Sequence, residues 1–193
     1  MELKTETINL RLVELSDALF IQSLRIDKKY NQYLSQVDDD ISKQEEWITE
    51  YKKKEKLGQE FYYIIHRNSD SLPIGTVRLY DFIGDKDSFC WGSWILNENK
   101  PRYAALECAL LIYEYAFYEL GYKRCHMDIR KQNTKVVEFH KNFGVKIIGE
   151  TDENYLGQYY KTDFESAKEG LQKKLEIYYT NQLINKSIND KIS

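Results

Sequence analysis

Proline is nearly absent: only Pro73 and Pro101 occur in 193 residues. Each sits where a turn or a helix start is expected. No internal repeat or low-complexity linker divides the chain before about residue 165. Cysteine is scarce as well. Cys90, Cys108 and Cys125 are odd in number and lack C-x-x-C spacing, which suits reduced, buried thiols in a reducing compartment. His66, His126 and His140 fall in no ligand spacing, so no metal is expected. Apolar runs are short, and none approaches the ~18–20 residues of a membrane span. Residues 1–14 carry charges throughout, which argues against a signal peptide. The expectation is a soluble, cytoplasmic protein with no membrane partner. Positive charge is not in excess: 28 Lys and Arg against 31 Asp and Glu leave a net charge of −3. The basic field that tracks a phosphate backbone is missing, so no nucleic-acid partner is expected. A Walker loop, a dinucleotide fingerprint and a G-x-S-x-G elbow are missing too.

What is present is an ordinary globular mixture, 42% hydrophobic and 31% charged, long enough for one α/β domain with a sizeable core. Alternating Ile8, Leu10 and Leu12 predict a strand over residues 8–13. Ser16 or Asp17 is the expected cap of a helix to Ile26, and Ser42 with Glu45 the expected capping box of a helix to Lys56. Residues 61–66, 73–80 and 88–96 read as a three-stranded antiparallel meander with turns at 68–71 and 83–87. Pro101 is expected to open a long helix striped by Ala105, Ala109, Ile112, Ala116 and Leu120, with Gly121 after its end. A strand over 124–129, a short helix from Asn133 to Gly144, and strands at 145–148 and 155–162 follow.

The expected division is a domain over 1–164 and a helical, partly disordered extension over 165–193, frayed from 185. That extension either docks on the domain or on a second subunit of a homodimer, or is a solvated appendage. A chain ending at residue 164 is expected to fold.

Three segments carry a family likeness. The first is Trp94-Ile95-Leu96-Asn97 followed by Lys100, Tyr103 and Ala105. The second is Glu107, Tyr115-Ala116-Phe117, Glu119-Leu120 and Gly121. The third and most specific is N-T-K-V-V-E-F-H-K-N-F-G-V at residues 133–145. Together with the β-α-α-β-β-β-α-β-α-β-β order they resemble the GNAT acyltransferase superfamily over about residues 8–160. The fold this implies is α/β (α+β): a mixed central sheet with an antiparallel meander, flanked by helices.

The resemblance implies acetyl-CoA as co-substrate. Its pyrophosphate is expected at the helix start formed by Lys100, Arg102, Tyr103, Ala104 and Ala105. Unpaired N–H groups and the helix dipole favour an anion there. Its pantetheine arm is expected along Ile95 and Leu96, as an added strand, and at Asn133. Two departures stand out. Tyr103 replaces the family's first loop glycine, and Lys100 replaces Gln or Arg. His140 occupies the position of a family tyrosine that protonates the CoA sulfur, and a histidine of near-neutral pKa can do the same.

No residue is singled out as general base. His126 and Asp128 share a strand face, as a water-mediated relay or, the favoured reading, a polar surface pair. Asp81 and Glu60 are weaker candidates. Tyr80 and Trp91 lie on the meander, under the family's acceptor pocket. The implied activity is N-acetylation of a primary amine on a small molecule, with a nucleotide-linked amino sugar as the candidate. A protein N-terminus or lysine is the alternative acceptor. A non-catalytic acyl-CoA-binding module is the alternative of another class.

Overall fold

The computed structural model describes residues 3–189, with side chains to residue 184. The elements run β1 (Leu3–Lys4), β2 (Ile8–Leu12), α1 (Ala18–Ile26), α2 (Ile41–Lys56), β3 (Phe61–Arg67), β4 (Pro73–Ile83) and β5 (Ser88–Leu96). They continue with α3 (Ala104–Glu114), β6 (Arg124–Arg130), α4 (Thr134–Phe143), β7 (Lys146–Glu150), β8 (Asn154–Tyr160) and α5 (Lys161–Asn189). Eight strands form one sheet in the order β1-β2-β3-β4-β5-β6-β8-β7. Every neighbouring pair is antiparallel except β5 and β6. This is the expected mixed sheet with its meander, and the short β1 is an addition to it.

The two-residue period of β3 explains the layers. Tyr62 and Ile64 point to a smaller core with Ile21 of α1 and Ile48 and Tyr51 of α2. Tyr63 and Ile65 point to the main core with α3, α4 and α5. Tyr113 is the centre of that core, fully buried and packed against Trp91, Phe143, Tyr159 and Phe164 with ring centroids 4.9–5.7 Å apart.

Two helix starts differ from the sequence expectation, and at α1 the cap is the expected Asp17 but its carboxylate does not cap the helix. The capping residue of α2 is Asp40, whose carboxylate accepts from the Ser42 N–H at 3.0 Å, because the helix begins one residue before Ser42. A 3-10 turn, Leu15–Asp17, precedes α1, so Asp17 reaches back to the Glu14 N–H (2.8 Å) and pairs with Arg11 (2.7 Å). Helix α3 begins at Ala104, three residues after Pro101, and residues 101–103 form a turn instead of its first coil.

The C-terminal segment is one continuous helix from Lys161, so the boundary expected after residue 164 falls inside it. The helix runs to Asn189 through part of the stretch expected to fray, and residues 190–193 lie outside the described residues. Phe164 and Leu175 are buried in the main core. Glu107, fully buried on α3, accepts from the Thr7 N–H at 3.2 Å and from the hydroxyls of Thr7 and Tyr179. A buried carboxylate needs such donors, and α5 supplies one of them. Tyr179→Phe is therefore expected to cost about 1–3 kcal/mol, read as a lower urea midpoint. Ending the chain at residue 164 is expected to lower the melting temperature further by uncovering the Leu175 site. Unchanged values for both variants would mean that α5 is dispensable.

Candidate active site

Strands β5 and β6 pair only at Ser88↔Arg124 and Phe89↔Cys125, and beyond these rungs they part. Just there β5 gains a residue. Arg78 faces Gly92 and Thr76 faces Ile95, so Ser93 and Trp94 together oppose Val77. Ser93 takes φ 45°, and its carbonyl accepts from the Thr76 hydroxyl at 2.9 Å. The bulge turns Trp94 toward α4, where its ring lies 5.1 Å from Phe139. Gly75 lets β5 pass: a Cβ there would stand 2.0 Å from the Ile95 carbonyl oxygen. The start of α4 is fixed by Asn133, whose side chain accepts from Val136 N–H at 3.4 Å, and its end by Gly144 at φ 109°.

The parted strands open a passage with two arms. The first, about 570 Å³, is lined by Ile95, Leu96, Lys100, Ala105, Asn133 and Lys135, among others. The second, about 350 Å³, is lined by Tyr80, Trp91, Asp128, Arg130, Asn133 and His140, among others. Tyr30, Tyr33, Trp94, Asn133 and Val136 border both, so the arms meet beneath the loop that follows α1. Glu98 anchors that loop by accepting from Lys29 at 2.8 Å and from the Tyr30 hydroxyl.

Ile95, Leu96, Lys100, Ala105 and Asn133 thus come together in the first arm, as the sequence suggests. Arg102, Tyr103 and Ala104 do not join them. The Tyr103 ring packs 4.4 Å from Tyr178 of α5, the Arg102 guanidinium lies 5.8 Å over the same ring, and Ala104 is fully buried. The late start of α3 is the cause, since it leaves 101–103 as a turn facing α5. Sequence reasoning did not single out Gln132, Thr134 and Lys135 of the first arm, although they flank Asn133. Nor did it find Arg25, Tyr30, Tyr33 and Arg78 of the second arm, which no local pattern marks.

The second arm holds Tyr80 and Trp91, the two expected meander aromatics. His126 does not pair with Asp128. Its Nδ1 lies 2.6 Å from the Ser88 Oγ and its Nε2 3.0 Å from Asp81, at the closed end of the split. Asp128 stands in the second arm, and among the described residues it has no ion pair. Glu60 is buried as the partner of Arg78 and is not placed as a base.

His140 is 7% exposed, 5.4 Å from the Trp91 ring, with its Nδ1 buried and unpartnered. Burial pushes its pKa down from 6.5 to about 4. The expected near-neutral titration is therefore corrected: at pH 7 the ring carries no charge.

A family model described as "Acetyltransferase (GNAT) domain" matches residues 7–146. The chain belongs to the GNAT acetyltransferase family. The probable N-acetyltransferase YjcK of Bacillus subtilis is 30% identical over 151 residues, 72% of this chain and 83% of that one. The solved structure of FdhC, a nucleotide-linked sugar GNAT, is 49% identical with a TM-score of 0.81, covering 87% of this chain and 94% of its own. Spermidine N-acetyltransferase of Vibrio cholerae with CoA and spermine shares the fold at 16% identity, with a TM-score of 0.69 and 81% and 97% of the two chains covered. The chain is accordingly a GNAT N-acetyltransferase, and the GNAT fold family uses acetyl-CoA. No helix among the described residues is long and apolar enough to cross a membrane.

In this GNAT the buried His140 has a measurable consequence for stability. Its folded pKa, about 4, lies below the ordinary 6.5, so between these values the unfolded chain binds the extra proton. The stabilisation is complete above about pH 6.5 and is lost as the pH falls toward 4, up to about 3 kcal/mol. His140→Phe is expected to flatten the fall in melting temperature across that window. An identical slope in parent and variant would show that His140 is not buried neutral.

Proposed function

We propose that this GNAT moves the acetyl group of acetyl-CoA onto a primary amine of a nucleotide-linked amino sugar. The observation that carries the reading is the two-armed passage. One arm has the chemistry for the donor, the other for a semi-polar acceptor, and they meet at Trp94 and Asn133. The 49% identity to a nucleotide-linked sugar GNAT over most of both chains supports the choice of acceptor.

The residues of the first arm fit the donor. The edge of β5 at Ile95 and Leu96 offers unpaired backbone groups of the kind that an amide-bearing pantetheine arm pairs with. The first turns of α3 and α4, at Ala105 and Thr134, present N–H groups that lack intrahelical acceptors, and Lys100 and Lys135 add positive charge for phosphates. Asn133 serves both as the cap of α4 and as a contact at the junction. Tyr103 does not close this arm, because its ring is engaged by α5.

In the second arm Tyr80 and Trp91 provide faces for the sugar. Asp128 holds the acceptor ammonium and passes its proton to water, which frees the amine lone pair. Donors on the bulged strand polarise the thioester carbonyl. The acetyl-CoA thioester supplies the activated acyl group. His140, neutral at pH 7, offers the departing sulfur a hydrogen bond rather than an imidazolium proton. The ammonium gives one proton to water before attack, the nitrogen loses a second as the amide forms, and the thiol gains one, so ammonium and thioester become amide, thiol and one proton released to water.

Thiol release with a panel of nucleotide-linked amino sugars, free amino sugars, polyamines and peptides tests the reading. Turnover should appear with the nucleotide-linked sugars. A panel active only on peptides or polyamines contradicts it. Asn133→Ser retains a capping oxygen, yet it is expected to weaken CoA binding by about 3- to 10-fold if the amide contacts the cofactor; unchanged affinity would leave Asn133 a cap alone. His140→Ala is expected to lower kcat more than it changes the acetyl-CoA KM. Equal turnover would remove His140 from the sulfur side.

A further inference from the structure

Beside the second arm, between α1, α2 and β4, lies a side pocket of about 290 Å³ lined by Arg25, Gln36, Gln44, Trp47, Tyr62 and Arg78, among others. It shares Arg25, Ser35, Arg78 and Ser93 with the second arm, so the two guanidinium groups stand at a doorway between them.

The two arginines are held differently. Arg78 is fixed on three sides: Glu60 accepts from its Nε, and its guanidinium lies 5.2 Å over Trp47 and 4.7 Å over Tyr80. Arg25 has no carboxylate. Its Nη2 donates to the Ser35 carbonyl and hydroxyl oxygens, each at 2.9 Å, and its Nε is buried with no partner. Among the described residues no ion pair involves Arg25, and the charge facing it is the second cation, Arg78. Burial lowers the pKa of Arg25, outweighing Tyr62, which acts the other way, and Arg78 lowers it further, the cost of holding a cation there without a counter-charge. Glu60 offsets one of the two cations, so the doorway keeps a net positive charge and an unused N–H fork.

We propose that Arg25 and Arg78 clamp the phosphates of the acceptor at this doorway, with the nucleoside in the side pocket and the amino sugar in the second arm. This rests on the nucleotide-linked sugar reading above. Guanidinium forks match phosphate oxygens in pairs, and a diphosphate supplies the negative charge that Arg25 lacks. The amides of Gln36 and Gln44 offer both donors and acceptors to a base edge. The arrangement orients the acceptor with its amine toward Asp128 and the junction at Asn133.

The experiment uses the full chain and separates the clamp from the acyl transfer. Binding of uridine diphosphate, thymidine diphosphate and inorganic pyrophosphate is measured by calorimetry, without acetyl-CoA, for the parent, Arg25→Gln and Arg25→Lys. The parent is expected to bind at least one nucleoside diphosphate more tightly than pyrophosphate. Arg25→Gln should weaken that binding by about 10- to 100-fold. Arg25→Lys keeps the charge and loses the fork, so it should fall between the two, and it stands in if the Gln variant does not fold. Binding of pyrophosphate alone, without preference for a nucleoside, overturns the assignment of the side pocket. No binding by the parent, or equal binding by parent and both variants, overturns the clamp. If nucleoside diphosphates bind through Arg25 but no nucleotide-linked amino sugar is acetylated, the clamp stands and the proposed activity falls. If such sugars are acetylated and Arg25→Gln leaves their KM unchanged, the activity stands and the clamp falls.

Discussion

Two rungs of parallel pairing join β5 and β6, and the whole site depends on their parting after Phe89. A sheet that loses a ladder leaves N–H and C=O groups in need of other partners. Here the free edge runs along Ile95 and Leu96, beside the starts of α3 and α4, and so gathers several unpaired donors in one place. The bulge at Ser93 and Trp94 belongs to the same feature. It interrupts the pairing of β5 with β4, which resumes at Ile95 and Leu96, and turns an indole into the split. A straight, fully paired β5 would have neither an arm for a donor nor a junction at which two substrates could meet.

The split stays open because both of its walls are fastened to the main core. On the β5 side Trp91 packs on Tyr113, and on the α4 side Phe143 packs on the same ring. Phe164 of α5 completes the arrangement, and Tyr179 ties the same helix to Glu107. Closing the gap would therefore require the aromatic core to be repacked, which dense interiors resist. The C-terminal helix thus supports the site from behind while its Tyr178 engages Tyr103 and keeps that ring out of the first arm. Burial in this layer is also what leaves His140 uncharged.

Much of this was legible in the sequence, and the reason is that it is local. The Asn133 motif combines a capping amide, an apolar helical face and a glycine stop within a dozen residues, and each part is a short-range rule. The meander and the residues Ile95, Leu96, Lys100 and Ala105 follow from strand alternation and the family resemblance. The errors come from contacts between distant segments. Nothing near Pro101 shows that residues 101–103 will face α5, which sets Arg102, Tyr103 and Ala104 apart from the lining of the first arm. The burial of His140 depends on Trp91, far away in the chain. Arg25 and Arg78 lie on a helix and a strand that only the folded sheet brings together, and an arginine on an amphipathic helix reads as solvated. His126 was paired with its neighbour on the strand, whereas its partners come from β5 and the end of β4.

The central claim is that the split between β5 and β6 receives the acyl-CoA. Amide hydrogen exchange with and without acetyl-CoA tests it most directly, because the first arm exposes backbone donors. Slower exchange confined to the second half of β5 and the first turns of α3 and α4 is the expected result. Slower exchange at the β7–β8 edge instead, or none anywhere at saturating acetyl-CoA, would contradict it.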